Sequence, residues 1–128
     1  MSDSNPSVAV IDDDMSVGRA VKRLLQSVSI GADTYPSGDE FLDTLAAIPR
    51  YRPGCVILDI QMPGTNGLEV QRRLSGSGIP VILTTAYDDA GVRSQGLALG
   101  AFGNLCKPFN AAILIQAVQA ALGIAPAP

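Results

Sequence analysis

A chain of 128 residues, 47% hydrophobic and 16% charged, has the length and apolar content of one packed soluble domain. Its net charge of −3 and the absence of any run of Lys or Arg exclude a surface built to neutralise phosphates, so direct nucleic-acid binding by this chain is not expected. The absence of histidine removes Ser-His-Asp and Cys-His nucleophile systems, imidazole metal ligands and any phosphohistidine on the chain itself.

The opening segment MSDSNPS shows no basic stretch followed by an apolar one. No uninterrupted apolar run approaches the roughly 20 residues of a membrane span, and the reading is a cytoplasmic chain, neither secreted nor membrane-embedded. SVAVI, residues 7 to 11, reads as a first strand and runs straight into Asp12, Asp13 and Asp14. Over residues 17 to 28 the apolar Val17, Val21, Leu24, Leu25 and Val28 keep the helical period, with Arg19, Lys22, Arg23 and Gln26 opposite. That pattern is an amphipathic surface helix capped by Asp14 or Ser16; the capping reading is given to Asp14 and withheld from Asp12 and Asp13.

IGADTY reads as the second strand, residues 38 to 47 as a helix, and GCVIL as a third strand ending at Asp59. QMPGTNG follows as a loop shaped by Pro63, Gly64 and Gly67, and a helix is expected over residues 66 to 75. PVILTTA is the fourth strand, ending in Thr84 and Thr85; a helix over 89 to 99 leads to AFGNLC, a fifth strand that enters Lys107 and Pro108. The last helix is expected over 110 to 122, and GIAPAP reads as a tail or the start of a linker. Without internal repeats or a second composition block, residues 1–128 read as a single domain with its core at about 7–122. Cys55 and Cys106 lie in apolar runs without a CxxC spacing and are expected as two reduced, buried thiols.

Strands buried on both faces and alternating with helices imply a mostly parallel, doubly wound α/β sheet. In such sheets ligands bind beyond the carboxyl ends of the strands. Asp12, Asp13, Asp59, Thr84, Thr85 and Lys107 all collect there. Two like charges about 4 Å apart repel by roughly 4 kcal/mol at an effective dielectric of about 20, so clustered acids need a cation, full solvation or a proton. Carboxylates with a backbone carbonyl are hard oxygen donors, which suit Mg2+ better than zinc. With a divalent ion neutralising its neighbours, Asp59 is placed to act as a nucleophile toward phosphorus, the ion and Lys107 steadying the phosphoryl oxygens.

VIDDD, VILDIQMPGTNG, ILTTA and CKPF together resemble, in order and spacing, the receiver domain of two-component response regulators. The resemblance covers nearly all of residues 7 to 122 and implies a flavodoxin-like fold with five helices around a five-stranded parallel sheet of order 2-1-3-4-5. It implies Asp59 as phosphoacceptor, Asp13 as a direct and Asp12 as a water-mediated Mg2+ ligand, and the backbone carbonyl of Gln61 as a further ligand. Thr85 would bond the phosphoryl group and Lys107 would pair with it, with a cis peptide before Pro108. The implied donor is a phosphohistidine on a sensor histidine kinase or a histidine phosphotransfer protein, and the implied role is a switch in a phosphorelay rather than an enzyme. Three other readings compete. A flavodoxin-type cofactor binder would need a phosphate loop where the acids stand. An aspartyl-nucleophile phosphatase would need a second carboxylate two residues past Asp59, where Gln61 lies. A receiver that only binds is opposed by Asp13, Asp59 and Lys107 and favoured by Asn104.

Asn104 stands where such domains carry Tyr or Phe, three residues before the lysine, and Phe102 lies two residues earlier on the same face. Separately, Lys107 is the only charged residue from Ser94 to Pro128, which leaves Ala111, Ala112, Ile113, Gln116, Gln119 and Ala120 as a non-ionic outer face of the last helix. Two readings stand for it. One is an alanine-rich surface that stays monomeric; the other is a homodimer or effector face formed by the fifth strand with the helices over 89 to 99 and 110 to 122.

Overall fold

Alternate residues of the apolar runs have to leave a strand on opposite sides, so each run can seal two layers at once. The computed structural model describes residues 7–60, 67–85, 98 and 100–124. In it, β1 (Ser7–Ile11), β2 (Gly31–Tyr35), β3 (Cys55–Asp59), β4 (Val81–Thr85) and β5 (Gly103–Cys106) form one sheet of order β2-β1-β3-β4-β5. Every pairing is parallel. The expected order 2-1-3-4-5 is the observed one. Among the described residues there are four helices, α1 (Met15–Gln26), α2 (Gly38–Ala47), α3 (Gly67–Leu74) and α4 (Ala111–Leu122). The helix expected over 89 to 99 lies outside the described residues except for Ala98, which is helical.

The two faces of the sheet carry separate cores. Val8, Val10, Cys55, Ile57 and Ile82 pack with Val21 and Leu25 of α1 and Leu114 and Val118 of α4. Ala9, Ile11, Val56, Leu58, Val81 and Leu83 pack with Phe41 of α2 and Val70 and Leu74 of α3. Each fully buried Val, Leu or Ile side chain contributes about 1.5–3 kcal/mol, so the central strands anchor the fold.

The helix starts follow their caps. α1 begins at Met15, earlier than the apolar period suggests, because the Asp14 carboxylate accepts the amide protons of Ser16 and Val17. It stops at Gln26 as Ile30 N–H returns to the Leu25 carbonyl. Ser37 caps α2 and Asn110 caps α4, whose Oδ1 accepts from Ala112 at 2.7 Å. Gly123 closes α4 in the left-handed conformation, with φ of 72°.

One expectation is corrected. Cys55 is buried, but Cys106 is exposed, and both thiols are free. β5 is the edge strand; the alternation that turns Leu105 into the core turns Cys106 away from it. Phe102, just before that strand, is also largely exposed.

Candidate functional site

Three strands deliver the charged groups to one edge. β1 ends at Ile11, and the next residue, Asp12, donates its N–H to the Tyr35 carbonyl at 3.0 Å, which fixes its backbone as a continuation of the ladder. Asp59 is the last residue of β3, opposite Thr84 of β4. Lys107 follows β5 and donates its backbone N–H to the Thr85 carbonyl at 2.6 Å, ahead of a cis peptide to Pro108. Gly67 then presses α3 against the back of the site: a Cβ there would lie 2.4 Å from Ile60 Cα and 2.8 Å from the Asp59 carbonyl oxygen. Only glycine permits that approach.

Asp12 and Asp59 are 6% and 4% exposed, deep enough that an uncompensated carboxylate would be costly. One ammonium serves both. Lys107 Nζ donates to Asp12 Oδ2 at 2.7 Å and to Asp59 Oδ2 at 3.2 Å. Asp12 Oδ1 also accepts the Asp14 N–H at 2.9 Å, so its second oxygen is oriented by the backbone. Burial by itself would lower the Lys107 pKa, but the hydrogen bond and charge of Asp12, joined by Asp59, outweigh it and hold the ammonium above its ordinary value. Lys107 is therefore a fixed cation.

Asp13 points outward and exposed, yet its carboxylate oxygen and those of Asp12 and Asp59 lie within 4.8 Å of one another. Among the described residues, three carboxylates thus converge where one ammonium pairs with two of them. A hard divalent cation suits that donor set, since the oxygens converge and two of them sit on buried, strand-held acids. Asp14, in contrast, is spent on the helix: its hydrogen bonds from the Ser16 side chain and backbone hold its carboxyl below the usual carboxylate range.

The structure brings Asp12, Asp13, Asp59 and Lys107 together, and places Thr85, buried, at the end of the neighbouring strand. Gln61 lies outside the described residues. Two features were not foreseen. Asp12 is the nearer partner of Lys107, a contact between residues 95 apart that no local pattern shows. An open apolar groove also runs beside the site, lined by Val17, Ala20, Leu24, Pro108 and Phe109; its trace in the sequence is the apolar stripe of α1 extending to Ala20. Asn104 contributes no aromatic ring, and its Oδ1 is buried without a hydrogen-bond partner among the described residues.

A parallel α/β sheet with an acid cluster and one lysine at its carboxyl edge is the architecture of an aspartate-centred signalling switch. Comparison with known proteins gives the same class. The model of the response regulator receiver domain matches residues 8–119. The transcriptional regulatory protein TdiR of Thauera aromatica is 38% identical over 120 residues, covering 92% of this chain and 52% of that protein. FixJ of Azorhizobium caulinodans, also a transcriptional regulatory protein, is 39% identical over 125 residues, covering 96% of this chain and 57% of that one. The crystal structure of a response regulator receiver protein from Burkholderia phymatum superposes with a TM-score of 0.88 at 65% identity, covering 94% of this chain and 98% of that one. The BeF3-activated DrrB receiver domain gives 0.83 at 29% identity, with 94% and 99% covered. The chain belongs to the response regulator receiver domain family, and it spans about half the length of the curated relatives it matches.

Proposed function

We propose that this receiver domain accepts a phosphoryl group on a side-chain oxygen of Asp59 from the phosphohistidine of a sensor histidine kinase or histidine phosphotransfer protein. The bond formed is Asp59 O–P and the bond broken is the donor's N–P, so the partner recovers its histidine and this chain needs none. The observation that carries the assignment is the shared ammonium. Lys107 Nζ already spans Asp12 and Asp59 and is placed to pair with the phosphoryl oxygens as charge accumulates at Asp59. The Thr85 hydroxyl is assigned as a further donor to that group.

Asp12, Asp13 and Asp59, with the Gln61 carbonyl, would hold Mg2+, whose charge neutralises the acids and the incoming phosphoryl oxygens when it is bound. The groove beside Lys107 gives the donor protein an apolar surface next to Asp59. Output is assigned to β5 and α4. The outer side of α4 carries no ion, and Ile113 and Phe102 are 52% and 51% exposed. An effector or a second copy of the chain would read the switch there.

Acetyl phosphate with Mg2+, followed by intact-mass measurement, tests the assignment. The wild type gains one phosphoryl group that hydroxylamine removes, and Asp59→Asn gains none. Equal, hydroxylamine-sensitive labelling of Asp59→Asn would place the acceptor elsewhere.

A further inference from the structure

Thr84 has no part in the scheme above, yet it is 1% exposed and its Oγ1 has no hydrogen-bond partner among the described residues. A buried hydroxyl left unpaired destabilises the folded state, whereas valine would fill the same space at no such cost. Its place in the sheet suggests what the hydroxyl serves. Thr84 stands opposite Asp59 in the β3–β4 register and opposite Leu105 in the β4–β5 register, so the three side chains leave the sheet on one face. Lys107, two residues beyond Leu105, must cross the end of β4 to reach Asp59 on β3 and Asp12 beyond β1. Thr84 therefore lies beneath the path of the lysine and beside the carboxylate that the lysine holds.

We propose that Thr84 is a positioning residue of the switch, its hydroxyl donating to the Asp59 carboxyl group when Lys107 turns toward a phosphoryl group bound there. Before that, Asp59 Oδ2 takes its hydrogen bond from Lys107 at 3.2 Å, the longer of the lysine's two contacts and the one more readily given up. Once the ammonium pairs with the phosphoryl oxygens, that carboxyl oxygen loses the lysine's hydrogen bond. Among the described residues the Thr84 hydroxyl is an uncommitted donor at the matching register position. The instability it brings to the unliganded protein becomes a hydrogen bond in the phosphorylated one, which biases the equilibrium toward the activated state.

The inference rests on Asp59 as phosphoacceptor, and its test separates the two. Beryllofluoride, a phosphoryl mimic, is titrated in Mg2+ against the wild type, Thr84→Val and Thr84→Ser, and the unfolding midpoint of each is measured without ligand. Thr84→Val should unfold at a higher temperature yet bind beryllofluoride about fivefold more weakly, the effect of one hydrogen bond. Thr84→Ser keeps the hydroxyl and loses a packed methyl, so it should unfold at a lower temperature and bind like the wild type. A purely structural threonine would not give these opposite orders. Thr84→Val binding as tightly as the wild type, or Thr84→Ser losing as much affinity as Thr84→Val, overturns the proposal while leaving Asp59 in its role. Failure of the wild type to bind beryllofluoride overturns both.

Discussion

Along β1 and β3 the residues Val8 to Ile11 and Cys55 to Leu58 are sealed between helices on both sides, none more than 3% exposed. One residue further on, each strand holds a carboxylate that is nearly as deeply buried, and the two share a single ammonium. The same backbone ladder thus carries a segment selected for burial and a segment in which burial is unfavourable until a counter-charge arrives. Stability resides in the first and responsiveness in the second. The switch works because the rigid middle holds the strained charges where they cannot drift apart.

Substitutions in the two segments should break that contrast in opposite ways. The largest effect belongs to the middle: Leu58→Ala, in the core under α2 and α3, should lose about 3 kcal/mol in urea denaturation. A loss below about 1 kcal/mol would mean that β3 does not anchor the fold. At the strand ends Lys107→Met removes the cation from two buried acids. In metal-free buffer it should lose about 2 kcal/mol, less than a fully buried pair because the lysine side chain is 21% exposed, and Mg2+ should restore part of it. An unchanged midpoint would show that solvent, and not Lys107, compensates the acids.

The two segments were not equally legible in the sequence. The strands announced themselves as apolar runs, and the assignment of Asp14 to the helix with Asp12 and Asp13 withheld from it holds. Asp14 caps α1 at the Ser16 and Val17 amides, while Asp12 and Asp13 join the cluster. α1 starts at Met15, two residues before the period of apolar positions begins at Val17, because the cap decides where hydrogen bonding begins. The expected burial of Cys106 fails because an edge strand need bury only one side of an apolar run such as AFGNLC. That Lys107 leans more closely on Asp12 than on Asp59 depends on side-chain reach across β4, and no spacing along the chain encodes it.

The two cysteines turn the contrast between interior and edge into a chemical readout. Cys106 should react with a thiol reagent in the native protein and Cys55 only after unfolding. Burial pushes the Cys55 thiol up to about 12 from 9.0. The unfolded thiol ionises first, so the stability tied to its protonated form is complete below pH 9 and drains away as the pH rises toward 12. Cys55→Ala should flatten that part of the stability profile, and an unchanged profile would assign the alkaline loss to other groups.

The smallest effect on folding is expected on the output side. Ile113→Glu, on the exposed face of α4, should change stability by less than about 0.5 kcal/mol while disrupting self-association or effector binding, with phosphorylation of Asp59 intact. Sedimentation showing a monomer with and without beryllofluoride, together with undiminished effector binding by the variant, would remove this face from the account.

The claim that the strand ends hold more negative charge than the protein alone can balance is tested most directly by the unfolding midpoint of Asp13→Asn beside the wild type, with and without Mg2+. Removing one of three converging carboxylates relieves repulsion and removes a metal ligand. The variant should therefore unfold at a higher temperature than the wild type in metal-free buffer, and saturating Mg2+ should raise the wild type more than the variant. A variant that is less stable without metal, or equal gains from Mg2+ in both proteins, would contradict the account.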